Sequence, residues 1–190
     1  MAGLASRILD YWFLPPDDPG HGRDRAMWFN GTPAIDADIA RRFGADIEKA
    51  LHGRLNHLAS SPRGALALCL LLDQMTRNVF RGSPRAFSGD ARARRVARSA
   101  VVRGFDQRLP PYQRAFLYMP FHHSESRGDQ NRCVGLLWPV SRPGAFKYAV
   151  GHRDIVVRFG RFPHRNAALG RMDTLGEAAY LSAPHERYGQ

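Results

Sequence analysis

The sequence predicts an all-α fold, a stack of antiparallel helices forming a single domain over residues 1–190, and three observations carry that prediction. Apolar residues recur at helical spacing in one segment after another. Glycine and proline cut those segments at short intervals, so the helices are of modest length. No segment sustains the period-two alternation of a half-buried strand. A chain of 190 residues buries a core without metal or disulfide staples.

The elements follow in order. "LASRILDYWFL" places Leu4, Ile8, Leu9 and Trp12 on one helical stripe and stops before Pro15 and Pro16. A long loop anchored by Trp28 and Phe29 follows. Ile35, Ile39, Phe43, Ile47 and Leu51 then form an amphipathic helix that Thr32 and Pro33 start. "ALALCLLLDQMTRNVFRG" is apolar all round in its first half, the pattern of a helix central to a core. "SGDARARRVARSAVVRG" begins a helix at Ser88, turns arginines outward and closes at Gly104. The segment from Pro110 to Trp138 continues helical, with Pro120 a kink or junction. Phe146, Val150, His152, Ile155, Val156 and Phe159 share one side of the next helix, and Thr174 with Glu177 makes a capping-box signature before "AAYL".

The formal charge of +11 invites a nucleic-acid reading, but Lys49 and Lys147 are the only lysines. A surface that tracks phosphates usually mixes lysine with arginine, so the charge is weak support for a polyanion partner. Cys69 and Cys133 sit in apolar surroundings without metal-type spacing, as buried reduced thiols do. The start lacks a signal-peptide pattern, and the longest apolar run, "ALALCLLL", is too short for a bilayer. A soluble, cytoplasmic chain without membrane contact is expected.

Three polar stretches could carry chemistry. In "DQMTRN" and onward, Asp73, Arg77 and Arg81 share a helical face, with Gln74 and Asn78 beside it. They follow the most apolar segment, so a buried arginine paired with Asp73 is expected, either as a pocket floor for an anion or as a structural network. In "HHSESRGDQ", His122, Glu125 and Asp129 fall on one helical face, with His123, Ser126 and Gln130 adjacent. A histidine and a carboxylate one turn apart can do acid–base work. No metal is expected, because the spacing matches no metal motif. In the third, His152 precedes Arg158, Arg161, His164, Arg165 and Asn166. There Phe159 and Phe162 read as core anchors, and the arginines as partners of Asp73, Glu125 or Asp129 or as ligand contacts. Nucleophile elbows, phosphate loops and dinucleotide fingerprints are missing, which counts against covalent catalysis and cofactor chemistry. No cofactor is expected.

"LLLDQMTRNVFRG", "LYMPFHHSES…DQ" and "RFGRFPHRNAALGR", in this order and behind "RILDYWF", resemble the bacterial domain of unknown function nine-two-four over almost the whole chain. The resemblance implies a tetratricopeptide-like all-helical fold and no established reaction. It also implies recurrent polar residues at Asp73, Gln74, Arg77, Asn78, His123, Ser124, Glu125, Asp129, Gln130, His152, Arg158, Arg161, His164, Arg165 and Asn166. Met75-Thr76 and Arg127 depart from the usual pattern.

The leading expectation is a pocket for a small polar or anionic molecule. His123 or His164 would act as acid or base, with Glu125 and Asp129 orienting them and Arg77, Arg158 and Arg161 stabilising charge. The rival is a peptide- or protein-binding helical scaffold, and RNA binding ranks last.

Overall fold

The computed structural model describes residues 3–140 and 143–183. Its helices are α1 (Leu4–Phe13), α2 (Pro33–Leu51), α3 (Pro62–Cys69), α4 (Thr76–Val79), α5 (Asp90–Val102), α6 (Pro111–His122), α7 (Arg127–Leu137), α8 (Pro143–Phe159), α9 (Asn166–Leu169) and α10 (Leu175–Ser182). Among the described residues there is no strand, and no helix is long and apolar enough to cross a membrane. The all-α expectation holds.

The starts of these helices obey local chemistry. The Thr32 hydroxyl accepts from the Ile35 N–H at 3.3 Å, with Pro33 at the first helical position. Ser61 does the same for Gly64 at 3.2 Å, ahead of α3. The capping box at α10 forms in full, Thr174 accepting from the Glu177 N–H and the Glu177 carboxylate accepting from the Thr174 N–H. Helix α5 starts at Asp90 rather than at Ser88, which ends a preceding short turn instead.

Helix α3 is the axis of the core. Every residue from Gly64 to Asp73 is buried, and α1, α5 and α6 pack around it. Leu66, Leu68, Leu70, Leu71 and Leu72 are fully buried, each contributing about 2 kcal/mol of transfer free energy. The run does not continue as a regular α-helix. Leu70–Met75 forms a π-helical turn before α4 resumes, and the Thr76 hydroxyl donates to the Leu71 carbonyl at 2.6 Å. Such turns insert a residue and re-aim the side chains that follow. Here those side chains are Asp73 and Gln74, where the apolar stretch becomes polar.

Helix α6 runs through Pro120 and ends two residues later at His122. The chain leaves helix over residues 123–126 and enters α7 at Arg127, so this stretch is two helices and a link, not one continuous helix. Helix α7 packs between α6 and α8. Gly160 ends α8 with φ at 74°, a left-handed conformation suited to glycine. Beyond it Phe162 joins Ile155 and Val156 in a small satellite core against Phe159 and Tyr180.

Gly89 sits directly before Asp90, and a methyl there would lie 2.0 Å from the Leu72 carbonyl oxygen. Its φ of −86° suits any residue, so space alone demands glycine. Gly89→Ala should therefore destabilise by about 1–3 kcal/mol. Gly128→Ala, with nothing nearer than the Ser126 hydroxyl at 3.7 Å, should change the chemical-denaturation midpoint far less. Equal midpoints for the two variants would contradict this packing.

Candidate functional site

The π turn carries the Asp73 carboxylate to the boundary between the apolar core and a polar cluster, where it is 1% exposed. A carboxylate so buried needs several partners, and it has them. The Arg77 guanidinium lies 2.8 Å away, one helical turn on, and the same group donates to the Asp73 carbonyl. The Gln74 amide donates to Asp73 as well. From the end of α6, the His123 ring places Nδ1 at 2.8 and 2.9 Å from the two carboxylate oxygens. Burial works to raise the Asp73 pKa, but Arg77 and His123 outweigh it and hold the carboxyl ionised, well below the usual range.

Arg77 reaches onward to Asp90 at the start of α5, with contacts of 2.9 and 3.1 Å. Arg165 touches the same carboxylate at 3.4 Å. The Arg165 guanidinium lies over the rings of Phe87 at 4.7 Å and Phe162 at 4.6 Å. Both neighbours are aromatic and uncharged, and among the described residues the buried Nε of Arg165 has no hydrogen-bond partner. Burial and the neighbouring Arg77 push the Arg165 pKa down to about 10, so it stays cationic near neutrality.

Four histidines gather beside this network. His122 and His152 meet edge to face with ring centroids 3.8 Å apart, His123 lies 5.4 Å from His122, and His164 lies 5.3 Å from Phe162. Burial, with His123 beside it, pushes the His122 pKa down to about 3. Burial also lowers His123, despite its contact with Asp73. His152 falls well below the ordinary value from burial and the adjacent His122. All three are neutral imidazoles at pH 7. Because Asp73 is ionised and can only accept, the His123 Nδ1 carries the proton and its Nε2 keeps a lone pair.

A cavity of about 120 Å³ opens onto these groups. Its polar lining is Gln74, Arg77, Asn78, His123, His164 and Arg165, with His152 and Arg81. Its lining also includes apolar and aromatic groups: Trp12 from α1, and Met27, Trp28 and Phe29 from the segment ahead of α2. The Trp28 indole is fixed by donating to the Trp12 carbonyl at 3.0 Å and packs edge-on against Phe116. A wider groove of about 420 Å³ lies between α5, the α6–α7 link and α9, and His123 and Arg165 line it too.

The model of a bacterial protein family of unknown function, DUF924, matches residues 8–185. The chain belongs to this family. A solved structure described as a protein of unknown function from Agrobacterium tumefaciens is similar at 38% identity. That match covers 94% of this chain and 97% of the other, with a TM-score of 0.84. No curated protein matches significantly.

Within this DUF924 chain, the remaining residues singled out from the sequence are placed as follows. Asn78 and Arg81 both turn to Asp36 of α2, at 2.7 and 2.8 Å. His122, Glu125 and Asp129 do not share a helical face, because the helix ends at His122. Glu125 accepts from the Phe162 N–H at 2.8 Å and from Arg171 at 2.9 and 3.0 Å. Asp129 is held by Ser124 and Arg98, both at 2.9 Å. The carboxylate that meets His123 is therefore Asp73, rather than Glu125 or Asp129. Buried Gln130 donates to the carbonyls of His122 at 2.7 Å and Ser124 at 2.6 Å, tying down the end of α6. Asn166 bridges Asp173 and Arg171 at 2.7 and 2.9 Å.

Arg161 pairs with Glu177 through two contacts of 2.6 Å, which fastens α10 away from the cavity. Arg158 is exposed and lies over Phe159 at 4.7 Å. The arginines of "RFGRFPHRN" thus find Asp90 and Glu177, not the carboxylates their sequence suggested. Residues of the site that the sequence reading passed over include Trp12, Met27 and Asp90. The only signal for Asp90 was its position at the start of an arginine-rich helix.

The neutral histidines make stability depend on pH. In the unfolded chain a histidine takes up a proton below about 6.5, whereas His122 in the fold does so only at about 3. The unfolded state binds more protons between those values, so stability falls as pH drops below about 6.5. Down to pH 5 the carboxylates barely titrate, and one such histidine costs up to about 2 kcal/mol over that interval. The thermal midpoint should therefore fall clearly between pH 7 and pH 5. A flat profile would show that these rings are not buried in neutral form.

Proposed function

We propose that the cavity beside Asp73 is an acid–base site for a small polar or anionic molecule. The observation that carries this reading is the 2.8 Å contact between the His123 Nδ1 and the ionised Asp73 carboxylate, in a residue that also lines the cavity. The contact fixes the tautomer, leaving Nε2 as a base, and stabilises the imidazolium that forms when Nε2 takes a proton. Burial keeps the ring unprotonated at neutral pH, which is the form a base needs.

Arg77 and Arg165 supply fixed positive charge in the polar lining, where a substrate oxygen or developing negative charge would lie. Gln74 and Asn78 add amide groups that can orient a polar molecule. His164, half-buried, lines the same cavity and would return the proton, the acid to the base of His123. Arg161 and Arg158 act outside this site.

A thermal-shift screen of the purified protein against metabolites, followed by assays on the stabilising compounds, tests the reading. His123→Gln should keep the fold and lower turnover by about 100-fold or more. Asp73→Asn, which stops anchoring the Nδ1–H tautomer, should lower it in the same direction. Turnover at the wild-type rate by His123→Gln would remove His123 as the base.

A further inference from the structure

Resting on the reading of His123 as the base, we infer that Gln130 is its positioning residue, a carboxamide on α7 that grips the main chain on both sides of the histidine.

His123 stands where a helix gives out. It caps the end of α6, its own N–H still bonding back to the Met119 carbonyl at 2.9 Å. The last carbonyls of a helix have no partner within it, and an end left so tends to fray.

Gln130 supplies the partner. Its Nε2 lies 2.7 Å from the His122 carbonyl oxygen and 2.6 Å from that of Ser124, with the Phe121 carbonyl at 3.4 Å. His122 and Ser124 are the chain neighbours of the base. A carboxamide nitrogen has two hydrogens, one for each near carbonyl. Asp129 holds Ser124 separately, accepting from its hydroxyl at 2.9 Å, which leaves the carbonyls to Gln130. The Gln130 N–H bonds to the Ser126 carbonyl at 3.0 Å, so the grip is anchored in the first turn of α7.

The two ends of the carboxamide are treated differently. Among the described residues the buried Oε1 has no hydrogen-bond partner, so the side chain serves through its donors. Gln130 is fully buried and lines neither the cavity nor the groove, whereas His123 lines both. It acts through the histidine and not on a ligand. Asp73 fixes only the ring, with its oxygens 2.8 and 2.9 Å from Nδ1. A shift of about 1 Å would take that contact out of hydrogen-bond range. Such a shift at a catalytic group can cost about 100-fold in rate.

Nitrogen NMR of the full chain with labelled histidine reads which ring nitrogen carries the proton, and His123→Gln assigns the signal. In the wild type the His123 proton should sit on Nδ1. Gln130→Met keeps the volume and removes both donors, and it also removes the unpaired oxygen, which offsets part of its cost to the fold. The Nδ1–H form should fall to about half or less in that variant. Ile47→Val, at a fully buried position of α2, loses core packing and should lower the thermal midpoint without moving the tautomer. A folded Gln130→Met protein with the wild-type tautomer overturns the proposal, as does an equal tautomer change in Ile47→Val.

The wild type alone decides the question where Gln130→Met does not fold. Its Gln130 carboxamide protons should exchange with solvent at least about tenfold more slowly than those of exposed Asn56, and equal rates overturn the grip. A wild-type His123 protonated on Nε2 removes the reading of this residue as the base, and the proposal with it. A wild-type Nδ1–H ring that Gln130→Met leaves unchanged removes the role of Gln130 alone.

Discussion

The arrangement depends on one buried carboxylate. Asp73 lies at the end of the most apolar helix of the chain, where an unpaired charge would cost several kcal/mol, and its partners come from different parts of the sequence. Arg77 and Gln74 are local, while His123 arrives from the end of α6, fifty positions away. Arg77 then carries the interaction to Asp90 on α5, and Asp90 to Arg165 beyond α8. Removing Asp73 would strand Arg77 and release His123 together. A substitution there affects the fold and the site through the same contacts, and the variant that keeps volume, Asp73→Asn, is the informative one.

The π turn makes this carboxylate possible. A regular α-helix from Pro62 to Val79 would keep a fixed angular relation between the leucines that face the core and the polar residues after them. The extra residue in the turn lets Leu70, Leu71, Leu72 and Met75 stay fully buried while Asp73 meets His123 at the end of α6 and Gln74 lines the cavity. The adjoining chain is tight enough that Gly89 meets the Leu72 carbonyl without room for a methyl group. The close approach also positions Asp90, the next residue, to receive both arginines. Packing of backbone on backbone therefore sets the electrostatics of the site.

Periodicity made the helices legible in the sequence, because burial of one face imposes spacing that any reader can count. The starts at Thr32 and Thr174 were legible for the same reason, each being a hydroxyl placed before a helix. The first polar motif was legible as a local pair, since Asp73 and Arg77 are one turn apart. Pairing across the chain was not. Glu125 and Asp129 read as partners of the histidines only on the assumption that the helix continued past His122. The link at residues 123–126 broke that assumption and sent Glu125 to Arg171. Arg161 likewise found Glu177, a residue whose capping role was visible while its second role was not. Local chemistry speaks through spacing. Long-range choice among several acids for several arginines depends on which elements meet, and spacing holds no record of that.

Arg77 and Arg165 show how that choice decides chemistry. Both are buried, and burial works to lower the pKa of each. Arg77 nevertheless ends raised, because Asp73 and Asp90 both lie against it. Arg165 ends lowered, because Arg77 stands beside it and the carboxylate it reaches is shared. Identical side chains in one cluster thus have opposite electrostatic balances. The difference lies in the Arg77 cation beside Arg165, while Arg77 itself has Asp73 and Asp90 hydrogen-bonded against it. Arg77 is tied into the fold by two carboxylates and still lines the cavity. Arg165 lines the same cavity with an ion-pair contact of 3.4 Å to Asp90 and with two phenyl rings that contribute no charge of their own. Two aromatic neighbours pack against the guanidinium without neutralising it, which is the condition under which it can still act on something else.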